Sequence, residues 1–284
     1  MNAPNVKDIL ELINRDIPFE LAEEWDNCGL QCGHPDWEVS KIITALDVTL
    51  PVLERAVGMK ADLVLTHHPL MISSFKQVNF STMPGSAIHL SAKHKVAVVS
   101  VHTNLDAARN GLNDYFASIA GVTPERAMIP AAVDASTQAS LISAVDEYQD
   151  MPLGIGRIGK LAQPTTLDVL ARDIKQRFRL DHVRIGGNTE QLIHDAAICT
   201  GSGGTLASVF LKSGAQVYIT GDMKYHEARL IEEHNLSFID VGHFGSEHIA
   251  VDLLKTHLAR AITDAGFKID IIGYKNEQDP FITI

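Results

Sequence analysis

The chain has 284 residues, of which 45% are hydrophobic and 21% charged, an ordinary composition for a globular protein. Its formal net charge of −11 repels nucleic-acid phosphates and anionic membrane surfaces, which argues against both as partners. The chain has three cysteines, an odd number that is too small for a disulfide framework at this length. Such a count is typical of a protein from a reducing compartment.

The N-terminal segment predicts a helix and not a signal peptide. Its apolar residues recur at helical spacing and are interrupted by acidic residues; they are Val6, Ile9, Leu10 and Ile13. No apolar run in the sequence reaches the roughly 18 residues that a membrane span needs. We therefore expect a soluble, cytoplasmic protein.

Along the rest of the chain, short β-rich runs alternate with helical patterns, which is typical of an α/β fold. The predicted strands cover 41–48, 62–67, 96–102, 182–186, 196–201, 216–221, 237–242 and 267–273. The predicted helices cover 4–15, 50–59, 86–94, 111–120, 165–178, 204–213, 223–235 and 246–264. The interval 121–160 is rich in proline, glycine and polar residues, and it predicts a crossover into a second lobe.

Two parts of the sequence share one pattern. "KADLVLTH" (60–67) and "GAQVYITG" (214–221) match at an offset of 154 residues, and the strands before them, "IITALDV" and "AAICTGS", keep that offset. We interpret the match as a duplication of one α/β unit. Two related halves commonly form a binding site where they meet.

Metal-ligand residues follow three of the predicted strands. His67 and His68 end one strand, while His102-x-x-x-Asp106 and His243-x-x-x-Glu247 follow two others. Ligands of α/β sheets gather at the carboxyl ends of the strands, so we expect these groups to converge at one edge. Adjacent histidines beyond a strand end can then bind two neighbouring metal ions.

Other interpretations of these residues are weaker. A single histidine at a strand end is more often a hydrogen-bonded structural residue, but three such groups in equivalent positions favour a metal site. A Ser/His/Asp triad lacks the G-x-S-x-G elbow. Cys28 and Cys32 lack the second Cys/His pair of a zinc finger. "CTGSGG" (199–204) is compatible with a phosphate loop or with a tight turn.

The chain resembles the NIF-three-like family of dinuclear metal-centre proteins, in part labelled GTP cyclohydrolase I type 2 homologues. The motifs that match span almost the whole sequence; they are "EEWDNCGLQCG" (23–33), "ADLVLTHHPL" (61–70), "VHTNLDAARNGLND" (101–114), "TGDMKYHEA" (220–228) and "DVGHFGSEH" (240–248).

The resemblance implies a site and an architecture. The implied ligands of two divalent transition-metal ions per chain (zinc, iron, manganese or nickel) are His67, His68, Asp106, His243 and Glu247. His102 and His226 would lie nearby and act as catalytic groups. The implied fold is one three-layer α/β unit over 1–284, with lobe A at 1–125 and 241–284 and lobe B at 126–240. The family's members form toroidal homohexamers.

The resemblance also implies a function. Metal-activated water would attack a purine nucleotide, while His102 or His226 moves protons as the ring opens. Whether the chain is an enzyme stays open at this point. One alternative is a hexameric metal-binding scaffold or interaction protein, which would tolerate the loss of both histidines. Another alternative is a different dinuclear hydrolase such as a phosphoesterase.

Overall fold

The computed structural model describes residues 3–132 and 153–283. The chain divides into two compact units. Unit 1 comprises Met1–Leu105 and Ala250–Gln278, and unit 2 comprises Asp106–Ile249 and Asp279–Ile284. None of the helices in the described residues combines the length and apolar character that a membrane crossing requires.

Helices and strands alternate through both units. The α-helices are α1 (Val6–Asp16), α2 (Leu50–Gly58), α3 (Gly85–His94), α4 (Thr103–Ala107), α5 (Leu112–Ala120), α6 (Leu167–Arg177), α7 (Ala207–Phe210), α8 (Tyr225–Glu233), α9 (His243–Glu247) and α10 (Ala250–Asp264). The strands are β1 (Gly29–Cys32), β2 (Lys41–Ala45), β3 (Leu63–Thr66), β4 (Ala97–Ser100), β5 (Val122–Pro130), β6 (Gly154–Thr166), β7 (Arg184–Gly186), β8 (Leu192–Cys199), β9 (Val217–Thr220), β10 (Ser237–Asp240) and β11 (Asp270–Gly273).

Unit 1 contains a five-stranded sheet in the order β1-β4-β3-β2-β11. β2, β3 and β4 are parallel neighbours, and their register pairs Ala45 with Thr66 and Thr66 with Ser100. The three strands therefore end level with one another. The residues that follow β3 and β4 leave the sheet at the same edge.

Helices cover both faces of the unit 1 sheet. Val64 of β3 packs in one cluster with residues of α2 and α3, including Val52 and Ala87. The next residue, Leu65, lines a small cavity with Ile13 of α1 and Leu254 of α10. Because neighbouring strand residues point to opposite faces, the sheet is the middle of three layers.

Unit 2 has the same layering around a six-stranded sheet in the order β5-β6-β8-β9-β10-β7. Ile219 of β9 packs in a cluster with α5 and α6, whereas the adjacent Tyr218 packs with α7 and α8. β8, β9 and β10 are parallel neighbours, as β2, β3 and β4 are in unit 1. The three-layer α/β class is confirmed, and the repeated topology agrees with the predicted duplication.

The predicted crossover at 121–160 is wrong at both of its ends, where the structure has β5 and the start of β6; residues 133–152 lie outside the described part. Prolines and glycines explain the error. Among the described residues β5 is an edge strand, and Pro124 and Pro130 are tolerated there because no further strand of this part of the chain needs their missing N–H groups. Gly159 of β6 lies so close to β5 that a Cβ would be 2.0 Å from the Thr123 carbonyl oxygen.

Candidate metal centre

Three histidines of unit 1 lie together beyond the ends of β3 and β4. The ring centroid of His67 lies 5.1 Å from that of His68 and 5.1 Å from that of His102, and the last two are 5.6 Å apart. One potential ligand atom of each lies within 4.8 Å of the others. His67 is buried and the other two are half-buried, so the group faces partly toward solvent.

The Nδ1 atom of each of these rings is hydrogen-bonded to an acceptor of unit 1. The pairs are His67 with the Val101 carbonyl oxygen at 2.9 Å, His68 with Asp47 Oδ1 at 2.8 Å, and His102 with Asp26 Oδ1 at 2.9 Å. Metal-ligating histidines usually donate their second ring N–H to such a carboxylate or carbonyl. The nitrogen that this arrangement offers to a metal is therefore Nε2.

Asp26 is ionised within the protein. Burial disfavours its charged form, but hydrogen bonds from His102 and Thr103 outweigh burial and hold its pKa well below the usual range. The carboxylate is therefore a permanent acceptor for the His102 ring.

Asp47 is held in place from the C-terminal part of unit 1. The Glu277 carboxylate accepts the backbone N–H groups of Leu46 and Asp47 at 2.8 and 2.9 Å. Burial raises the pKa of Glu277, although these two hydrogen bonds act in the opposite direction. The loop after β2 is thereby fixed, and with it the acceptor for His68.

Unit 2 contains a second pair of potential metal ligands, at the two ends of the short helix α9. His243 Nε2 lies 2.8 Å from Glu247 Oε2, and His243 Nδ1 lies 2.8 Å from Asp222 Oδ2. Glu247 is buried with 4% of its surface exposed. A buried carboxylate needs a charged or hydrogen-bonding partner, and a cation is one such partner.

Glycines let the loops after β8, β9 and β10 approach one another closely near His243 and Glu247. A Cβ on Gly221 would lie 2.6 Å from the Gly201 carbonyl oxygen and 2.8 Å from that of Gly242. Ser246 Oγ accepts the Gly201 N–H at 2.8 Å and donates to the His243 carbonyl oxygen at 2.8 Å. The strand-end loops therefore fix the backbone of α9.

Asp106 lies in α4 and is held by residues of unit 2. The Thr200 hydroxyl donates to its Oδ1 at 3.2 Å. Asn113 accepts the Thr200 N–H at 3.1 Å and donates to the Asp106 carbonyl oxygen at 3.1 Å. The N–H groups of Thr200 and Gly201 are thus bonded within the protein, as a tight turn at the start of "CTGSGG" requires.

Neither His226 nor any cysteine belongs to a group of three potential metal ligands among the described residues. His226 is exposed in α8, edge-on to Tyr225. The single S–H of Cys28 is shared between two acceptors, Asp26 Oδ2 at 3.2 Å and Asn104 Oδ1 at 3.1 Å, and burial raises the pKa of the thiol to about 12. Cys32 instead accepts from Ser91. Cys28 is therefore a neutral thiol at physiological pH.

The prediction that all three strand ends share one sheet edge is wrong. His67, His68 and His102 follow strands of the unit 1 sheet, whereas His243 follows β10 of the unit 2 sheet. The carboxylates that hold the rings, Asp26, Asp47 and Asp222, were also missed. A signal for two of them exists, because Asp47 and Asp222 each lie two residues beyond the end of a strand, β2 and β9 respectively.

Imidazole and carboxylate donors together fit divalent first-row transition metals. The fold and these donors define a class of three-layer α/β proteins with two groups of potential metal ligands beyond their strand ends. The chain matches the family model Duf34/NIF3 (NGG1p interacting factor 3) over residues 4–280, and it belongs to this family.

Individual relatives agree with this membership. The chain is 32% identical over 276 residues to a Clostridium acetobutylicum protein named GTP cyclohydrolase 1 type 2 homolog, with 97% of each covered. A Helicobacter pylori protein named GTP cyclohydrolase 1 type 2 is 34% identical over 243 residues, which cover 85% of this chain and 86% of that protein. The crystal structure of a Bacillus cereus protein related to NIF3 has a TM-score of 0.90 at 23% identity and full coverage of both chains, which shows the shared fold.

Proposed function

We propose that the chain is a metal-dependent hydrolase that acts on a purine nucleotide. Its metal ligands are His67, His68, Asp106, His243 and Glu247, and together they bind two divalent transition-metal ions. The observation that supports this most strongly is the bonding of Nδ1 in the ligand histidines. Each of the three has a carbonyl or carboxylate acceptor at 2.8 to 2.9 Å, the arrangement that orients metal-binding imidazoles.

The substrate class rests on the relatives. The Helicobacter pylori protein is named a GTP cyclohydrolase 1 type 2, and several other relatives have homologue names of the same type. When bound, the ions would supply Lewis-acid polarisation and a source of hydroxide near neutral pH. We assign GTP or a related purine nucleotide as the substrate.

Residues of this chain supply the remaining chemistry. His102 lies within 5.6 Å of both neighbouring histidine rings, measured between centroids, and is held by an ionised aspartate, so it is fit to accept a proton and release it as the ring opens. Glu247 and Asp106 supply negative charge that offsets the charge of the ions. His226 is proposed as a second proton carrier. Its side chain is exposed to solvent, whereas that of His102 is half-buried.

A turnover screen with metal-loaded protein tests this proposal. We expect hydrolysis of GTP, and less or none of other phosphorylated compounds, with His102→Gln lowering kcat by roughly 10² to 10⁴. His234→Gln is the matched control, since this histidine lies on the exposed surface of the C-terminal end of α8. A metal-loaded, folded protein that hydrolyses none of these compounds would favour the scaffold, and turnover of phosphodiesters alone would favour a phosphoesterase.

We also propose that the chain forms a homo-oligomer, a hexamer by resemblance to its family. An exposed apolar segment between β3 and α3 supports self-association; its large side chains are Ile72, Phe75, Val78, Phe80 and Met83. Light scattering at micromolar concentration should show the assembly. Phe75→Ser/Phe80→Ser should weaken it, whereas a wild-type monomer would refute it.

A further inference from the structure

Asp26 accepts hydrogen bonds on both carboxylate oxygens. Oδ1 accepts the backbone N–H of Asn27 at 2.8 Å and Nδ1 of His102 at 2.9 Å. Oδ2 accepts the Cys28 thiol at 3.2 Å, together with the backbone N–H and the hydroxyl of Thr103. The Asp26 side chain is 0% exposed, so these protein groups and not solvent satisfy the carboxylate.

Two of these donors cannot reverse their direction. The backbone N–H of Asn27 points at one oxygen and that of Thr103 at the other, so each oxygen must act as an acceptor. An ionised carboxylate only accepts, whereas a protonated acid would have to donate from one oxygen and an amide from its nitrogen. Hydrogen bonds from His102 and Thr103 hold the pKa of Asp26 well below its usual range, so the group that the donors surround is the carboxylate. His102 Nδ1 therefore has to be the donor in its bond to Asp26, and a neutral ring then has its lone pair on Nε2.

Two further contacts hold His102, one at its backbone and one at its ring. Asn104 Oδ1 accepts the backbone N–H of His102 at 2.9 Å, and the same oxygen accepts the Cys28 thiol. Trp25 contacts the ring edge-on with centroids 5.9 Å apart. Thus Trp25, Asp26 and Cys28 of the "WDNCG" motif all act on His102, directly or through Asn104.

We propose that Asp26 is a positioning residue that keeps the proton of His102 on Nδ1 and leaves Nε2 as the basic atom. This inference rests on the proposed function only in the statement that His102 moves protons. The tautomer itself follows from the hydrogen bonds of Asp26 and is independent of any metal or substrate.

The tautomer can be measured on the full chain without metal. We would label the protein with ¹⁵N-histidine, record long-range ¹H–¹⁵N correlations in mildly alkaline buffer, and assign His102 by difference against His102→Gln. We expect the proton on Nδ1 in the wild type and a gain of the Nε2–H form in Asp26→Asn. A wild-type proton on Nε2, or an unchanged tautomer in the folded variant, overturns the inference.

Asp36→Asn is the matched control. Its carboxylate lies 3.7 Å from Nδ1 of His34 on the exposed surface, so its loss should leave the His102 signals unchanged. If Asp26→Asn does not fold, the wild-type spectrum still decides which nitrogen bears the proton.

Turnover separates this inference from the proposed function. If His102 moves protons, Asp26→Asn should lower kcat by roughly 10² to 10⁴ with little change in KM. A variant whose tautomer changes while turnover stays at the wild-type level contradicts the catalytic role of His102 and leaves the positioning by Asp26 standing.

Discussion

Gly201 approaches Glu247 so closely that no side chain fits between them. A Cβ on Gly201 would lie 2.0 Å from Oε1 of Glu247, and Gly201 has a φ of +62°. The turn after β8 therefore sets the position of a buried carboxylate on α9. Both the conformation and the contact require glycine.

Gly201→Ala should displace Glu247 and lower the metal content, with a loss of stability of about 1–3 kcal/mol. Elemental analysis and urea unfolding measure the two effects. Gly214→Ala is the matched control, because Gly214 also has a positive φ, +86°, but has nothing within 4 Å of the added Cβ. The control should lose some stability and keep its metal; equal metal loss in both variants would contradict the role of the contact.

Asp47→Ala and Asp222→Ala should each weaken metal binding by roughly 10- to 100-fold, because each removes the acceptor that orients a ligand histidine. Competition with a chromophoric chelator measures the affinity. Asp168→Ala removes a carboxylate from an exposed helix pair with Arg172 and serves as the control. Wild-type affinity in both test variants would show that these aspartates do not orient ligands.

His67→Ala and His68→Ala should each retain about one metal ion per chain, since we expect the two histidines to bind different ions. Glu247→Ala should retain little of either ion if this carboxylate bridges them. Anomalous scattering and metal stoichiometry on folded variants distinguish the cases. Equal loss of both ions in the two histidine variants would mean that His67 and His68 share one ion.

Asp114→Ala should destabilise the protein by about 3–5 kcal/mol, because it leaves Arg157 buried without its counter-charge. The Arg157 guanidinium makes two hydrogen bonds to Asp114, and its side chain is 0% exposed. Denaturant unfolding measures the loss. Asp168→Ala, which breaks an exposed pair, should cost less than about 1 kcal/mol; similar losses in the two variants would refute the prediction.

Cys28 should react slowly with thiol reagents up to about pH 10, because burial raises its pKa from 9.0 to about 12 and the thiolate is the reactive form. The raised pKa means that folding favours the protonated thiol. This contribution to stability is fully present below pH 9 and is lost as the pH rises toward 12. Mass spectrometry after alkylation at pH 7 and pH 9 tests the predicted slow reaction of Cys28. If Cys28 in the folded protein is labelled at pH 9 as fast as in the unfolded protein, the prediction is wrong.

The sequence predicted the parallel strands because short apolar runs such as 62–67 and 216–221 end in clear turn signals. It missed β5 and β6, where prolines and glycines are tolerated by an edge strand and by close strand pairing. The imidazoles of the candidate site were predictable from their strand-end positions. Asp26 was not, since its contact with His102 spans 76 residues of sequence and nothing local in "WDNCG" indicates it.

Elemental analysis of gently purified protein shows whether the five proposed ligands bind two metal ions. We predict close to two transition-metal ions per chain in the wild type and in His234→Ala, and a loss of most of the metal in folded Asp106→Ala. Full metal content in Asp106→Ala would contradict the role of this carboxylate as a ligand, and a folded wild-type protein that binds no transition metal when supplied with zinc, iron, manganese and nickel would refute the two-ion site.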